Sequence, residues 1–156
     1  MASELFSVQE AAKVQGRFQT IAPWLSRMVM MPPLVILTIV SIRFLTKTAE
    51  VVPGVTLHTP EAFTDMRVPE AWLLTTLATL LIFVSDQKRL WLGHVQLCLF
   101  MGLTLAVRVF GFVHDGTTLA MGNQRRITIA EFIFLLLNAA GLAMQNYLRK
   151  QTAVRP

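Results

Sequence analysis

Three side chains in this sequence have the types and spacing for proton-transfer chemistry. Arg108 and Asp115 are seven residues apart, hence on one face of a helix, and Glu131 lies in the next apolar run. Arg108 sits inside "LTLAVRVFGFVHDG", Leu103 to Gly116, where a charge at the middle of a bilayer would cost roughly 2.5 to 3.5 kcal/mol. Such a residue needs a partner, a watery cavity or a route to the surface, and Glu131 is the candidate partner. A carboxylate in this setting can serve as acid or base. With Arg108 beside it, Glu131 stays ionised and suits a base. With Arg108 engaged by Asp115 instead, Glu131 is desolvated without compensation and suits an acid. Both arrangements stay open at this stage, and isomerisation or ring opening is the chemistry either would serve.

Other reactive constellations are missing. Cys98 is the single cysteine, which excludes an intrachain disulfide and a CxxC redox or metal motif. No Gly-rich phosphate loop, G-x-S-x-G or H-E-x-x-H occurs, so no nucleotide, hydrolase or zinc-protease site is expected. His94 and Cys98 have i,i+4 spacing but no third or fourth ligand at that depth, so no metal is expected. A packed polar pair of His94 with Gln145 is the simpler reading. No two histidines share a depth on facing helices, which removes support for a bis-His haem, and no cofactor is expected.

The elements that must hold these residues are membrane spans. With 54% hydrophobic and 15% charged residues in 156, the chain is too apolar for a soluble domain of its size. Four apolar segments follow, Trp24 to Leu45, Pro69 to Ser85, Leu90 to Val113 and Ile127 to Leu148, each near the roughly 20 residues that cross a bilayer core. Pro32-Pro33 in the first predicts a kink but no end, the freed carbonyls being met by Thr38-type hydroxyls, neighbouring helices or water. Ser7 and Glu10 form a capping box, after which Ala11, Val14, Phe18 and Ile21 recur at helical spacing beside Lys13 and Arg17. That pattern predicts an N-terminal helix lying on the membrane surface. Residues 1–23 form this segment, 24–148 the membrane domain and 149–156 a basic tail. The fold expected is all-α, a four-transmembrane-helix bundle with an N-terminal interfacial helix. No removable signal peptide is expected, since Met1 to Pro23 has no apolar core leading to a cleavage site.

Lys and Arg set the orientation. Eight (Lys13, Arg17, Arg27, Lys88, Arg89, Arg149, Lys150 and Arg155) fall on one side and five (Arg43, Lys47, Arg67, Arg125 and Arg126) on the other. The bias predicts an inner-membrane, multi-pass protein with both termini in the cytoplasm. The net charge of +5 is a topology signal, because no basic run with interleaved aromatics points to nucleic acid.

The third and fourth segments, joined by a loop with Asp-Gly and Gly-Asn pairs, should form an antiparallel hairpin. Matched from Val113 and Arg126, this hairpin sets Arg108 level with Glu131, Met101 with Asn138 and His94 with Gln145. The seven-residue spacings His94-Met101-Arg108 and Glu131-Asn138-Gln145 place each set on one face. Arg108 is also near enough to its helix end to reach the headgroups by itself, which remains the alternative to an intramembrane ion pair. The loop Thr46 to Glu70 contains "HTPEAFTDMRVPE", where Thr59 can cap a short helix begun by Pro60. It would bring Asp65, Arg67 and Glu70 near Arg43, His114 and Asp115, either as a polar cap or as a lid over a pocket.

The pieces "PEAFTDMR" and "AVRVFGFVHDG", followed by a final span with Glu131, resemble a family of small, uncharacterised four-helix bacterial integral membrane proteins of DoxX-like general appearance. Pro60, Arg67, Arg108, Gly111, Asp115, Gly116 and Glu131 carry the likeness, which runs from about Pro53 to Tyr147. Where that family shows a glycine-bearing stretch, this chain has "VPEAWLLTTLA" with Pro69 and Trp72. The resemblance implies a four-helix bundle and brings no activity with it. Three functions stay open. One is binding of a small lipid-like molecule, with or without acid–base chemistry by Glu131, Arg108 and Asp115. Another is a non-catalytic accessory or assembly subunit beside a membrane-protein partner or a second copy. A transporter is disfavoured for want of a second buried acid.

Overall fold

The computed structural model describes residues 2–47, 60–114 and 124–153. It contains four long helices, α1 (Ala2–Thr46), α2 (Pro60–Ser85), α3 (Leu90–His114) and α4 (Gln124–Ala153), with a 3-10 turn at Gln87–Arg89. Each contains a stretch long and apolar enough to cross a membrane, and no strand occurs among the described residues. The protein is therefore an all-α four-helix bundle.

Two helices run further than the hydropathy pattern predicts. α1 has no break at Trp24; the expected surface segment and the first span are one helix through Pro23, Pro32 and Pro33. Thr38 does not meet the carbonyls freed by Pro32 and Pro33, which belong to Met28 and Val29. Its hydroxyl donates to Leu34 O at 2.7 Å, four residues back in the ordinary helical pattern. In α2 the short helix expected from Pro60 and the span expected from Pro69 are likewise continuous. Pro60 supplies the first helical residue, where its missing N–H would have had no partner in any case. The loop positions Thr59 and Asp115 lie outside the described residues.

A short polar turn closes α2 onto α3. Asp86 Oδ1 accepts from Lys88 N at 2.9 Å, and its other oxygen lies 3.2 Å from Arg89 Nε. Around the bundle α1 neighbours α2 and α4, α3 neighbours the same two, and α1 also reaches α3 across the short diagonal. α3 and α4 are the most closely packed pair, as the predicted hairpin requires.

The apolar core lies in the half nearer the Asp86 turn. Met30, Leu34, Leu77, Leu80, Val84, Leu90 and Leu97 form it. Gly93 permits the close approach there: a Cβ at that position would lie 2.7 Å from Met30 Sδ and 3.4 Å from Leu80 Cδ1. Polar groups in this half are mostly matched across helices. Gln145 Nε2 donates to Ser26 Oγ at 2.7 Å, tying α4 to α1. His94 Nδ1 and Asn138 Oδ1 share a 2.9 Å hydrogen bond, tying α3 to α4.

The expected His94–Gln145 pair is thus replaced by two others. The depth match from helix ends treats side chains as points, whereas Gly141 leaves a gap and the imidazole of His94 lies against its backbone. From there the ring reaches Asn138, one turn along α4, and Gln145 turns to α1. Outside the core, large apolar side chains such as Trp24, Met28, Trp72, Leu103, Val107 and Val113 are exposed, the pattern of a bundle that faces lipid.

Candidate functional site

The site is found by following the four inward faces away from this core. Met30 and Leu80 meet at Gly93, and His94 lies on Gly141, so these positions share a level. Ten or eleven residues toward the other end, about 15 Å along the helices, the corresponding positions are Ser41, Glu70, Thr104 and Glu131. Each continues an inward stripe: Met30, Leu34 and Ser41 on α1; Val84, Leu80, Leu77 and Glu70 on α2; Leu97, Met101 and Thr104 on α3; Gln145, Gly141, Asn138 and Glu131 on α4. On α2 the interior changes from apolar to polar at this depth, whereas α1, α3 and α4 already carry buried Ser26, His94, Asn138 and Gln145 in the core half.

Arg108, one turn beyond Thr104, completes this level. Its Nε donates to Glu131 Oε2 at 2.5 Å and its Nη2 to Oε1 at 2.7 Å, a two-point contact that occupies both carboxylate oxygens. The side chains are 20% and 14% exposed, so neither reaches open surroundings by itself. The arginine is thus engaged by Glu131, and Glu131 is not left uncompensated, which removes the arrangement in which it would be a stranded acid.

Two oxygens at the same level have no such partner. Ser41 is fully buried, and its Oγ makes no hydrogen bond. Glu70 Oε2 is buried without a hydrogen bond as well. Thr104, by contrast, is satisfied locally, donating to Phe100 O at 2.9 Å. A buried carboxylate oxygen without a donor is costly, so the level holds one self-neutralised ion pair and one acceptor still to be met.

Of the residues predicted to converge, Arg108 and Glu131 meet, while Asp115 and the side chain of Asp65 lie outside the described residues. Arg43 and Arg67 are exposed, and His114 is exposed and stacks on Phe110 with ring centroids 4.3 Å apart. Glu70 is thus the described acid of its segment that turns inward. Sequence reasoning placed it in a loop because the span was started at Pro69; its seven-residue spacing from Leu77 was the available signal. Ser41 was missed, since a lone serine in an apolar run gives no sign of which face it occupies.

At the core level, His94 Nε2 is buried without a hydrogen bond, and Cys98, one turn on, is free and half-buried. No group of three or more His, Cys, Asp or Glu residues placed to hold a metal occurs among the described residues. One groove of about 510 Å³ is lined by Gln19, Asp86, Lys88, Gln145 and Arg149 near the Asp86 turn. Another, of about 580 Å³, runs along the lipid-facing seam of Trp24, Arg27, Met31 and Val84. Neither groove includes Arg108 or Glu131. Comparison of the chain with protein families, curated proteins and solved structures finds no match.

Proposed function

We propose that this chain is an integral membrane protein that seats the polar end of a small lipid-like molecule at the level of Ser41, Glu70, Arg108 and Glu131. The observation that carries the reading is the pair of unpartnered buried oxygens, on Ser41 and Glu70, at the depth of the two-point Arg108–Glu131 ion pair. Because side chains fill the other half of the bundle, the ligand's apolar body would lie along the lipid-facing surface, with its head entering between helices. Glu131, held at both oxygens, would act as a fixed charge that positions Arg108. Proton transfer of the isomerase or ring-opening kind would fall to Glu70, which keeps an open oxygen, with Asp115 as a further candidate on its sequence spacing from Arg108 alone.

The same proposal places the protein in the inner membrane with both termini cytoplasmic and the polar level in the outer half, following the Lys and Arg asymmetry. A kinship with DoxX-like membrane proteins belongs to it too, and rests on the motif residues alone. Labelling of a single cysteine at Lys47, in a Cys98→Ser background, should proceed with a membrane-impermeant reagent added outside spheroplasts. Labelling only after the membrane is opened would invert the topology.

The second reading is a non-catalytic accessory subunit. It is favoured by the ion pair itself, which is complete without a ligand and can serve helix assembly alone. The Arg108→Gln/Glu131→Gln double variant separates the two. Under the binding reading it folds yet fails to complement a deletion strain, measured by growth or metabolite profile. Full complementation by the stable double variant leaves the accessory role as the better account.

A further inference from the structure

We infer that the head group seated at this level is a primary ammonium, that of an aliphatic amine or amino-lipid, and that Glu70 is its anchor. The inference rests on the binding reading above and goes further by naming the ligand's chemistry. Charge decides the sign. Arg108 and Glu131 cancel in a two-point contact, so Glu70 supplies the charge of the level that no described group opposes. The other described arginines and lysines of this end, Arg43, Lys47, Arg67, Arg125 and Arg126, have exposed side chains. An anionic head would meet Glu70 and find Arg108 already held by a carboxylate.

Charge and hydrogen-bond inventory together decide the chemistry. An ammonium has three donors and no acceptor. The Glu70 carboxylate can only accept, while Ser41 Oγ can accept or donate; Glu70 Oε2 and Ser41 Oγ are both buried and unpartnered, on inward stripes of the neighbouring helices α2 and α1. The remaining lone pairs of Glu131 and Thr104 lie at the same depth on α3 and α4. A hydroxyl head can donate to Glu70 and accept from Ser41, but it brings no charge to oppose the carboxylate. A quaternary ammonium matches the charge but donates nothing, so both oxygens would stay unsatisfied. The preference expected is therefore primary amine over alcohol over quaternary amine of equal chain length, with the carboxylic acid last.

The test measures thermal stability of the purified full-length protein in maltoside detergent against dodecylamine, dodecanol, dodecyltrimethylammonium and dodecanoate. Dodecylamine should raise the melting temperature saturably, with at least tenfold tighter apparent affinity than the trimethyl analogue. Glu70→Gln should lose at least tenfold in amine affinity, while its unliganded melting temperature stays equal or rises, because it breaks no hydrogen bond or ion pair: Glu70 Oε2 has no partner to lose. Ser41→Ala, which keeps the charge, should lose a few-fold and serves if Glu70→Gln does not fold. Unchanged amine affinity in whichever of these variants is folded overturns the assignment of the anchor. Stronger stabilisation by dodecanol or dodecanoate overturns the ammonium while leaving a lipid-binding site in place. Stabilisation by none of the four probes overturns both the inference and the binding reading.

Discussion

Glu131→Gln unfolds at a lower temperature than the parent protein in detergent, and so does Arg108→Gln, because each leaves a desolvated charge facing a neutral amide. Breaking a buried pair from one side costs about 3 to 5 kcal/mol, and the partial exposure of both side chains puts this pair near the lower figure. At roughly 2 to 4 °C per kcal/mol for a chain of this size, the expected drop is about 6 to 12 °C. The double Gln variant recovers most of that loss, since two amides hydrogen-bond to each other and strand no charge. Glu70→Gln, at the same depth but unpaired, shows no such drop. Differential scanning fluorimetry on the four variants reads all of this in one series. Single variants within a degree or so of the parent would mean that the two-point contact contributes nothing to holding α3 against α4.

The spans and the Arg108–Glu131 pair were legible because they depend on features local in sequence. Apolar runs report helices long enough to cross a bilayer, and seven-residue spacing reports a shared face. The starts of α1 and α2 were not legible for one reason: Pro23 and Pro69 mark where hydropathy changes, and a helix can run through both. That error hid Glu70, since a residue assigned to a loop has no inward face. Ser41 and Ser26 were hidden differently. A serine in an apolar helix satisfies itself on its own backbone or reaches a neighbour, and only packing decides which. Ser26 meets Gln145 of α4; Ser41 meets nothing.

The His94 register shows the limit of depth matching between antiparallel helices. Residue numbers fix where backbones are level, while the side chains fix who touches whom, and a glycine on one helix redirects a ring from the other. That account makes Gly141 the most sensitive small residue in the hairpin. A Cβ there would overlap the imidazole of His94, lying 2.6 Å from Nε2 and 2.8 Å from Nδ1. The ring has no easy retreat: His94 is fully buried, its Nδ1 is held by Asn138 Oδ1, and Asn138 is itself fixed by donating from Nδ2 to Phe134 O at 2.8 Å. Gly141→Ala must therefore displace the ring and break a buried hydrogen bond. Overpacking costs about 1 to 3 kcal/mol, and stranding buried polar atoms adds about 1 to 3 more. Against this stands a gain of up to about 1 kcal/mol in helix propensity, which is all that Gly102→Ala on α3 should show, since a Cβ there meets open space. The expected melting temperatures are a large fall for Gly141→Ala and none for Gly102→Ala. Adding His94→Ala to Gly141→Ala removes the overlapping ring, so the double variant should lie well above the sum of the single losses, a coupling of at least about 1 kcal/mol. If Gly141→Ala instead melts with Gly102→Ala, the imidazole does not lie on that glycine, and the level matching that places Glu131 beside Ser41 and Glu70 loses its α4 reference point.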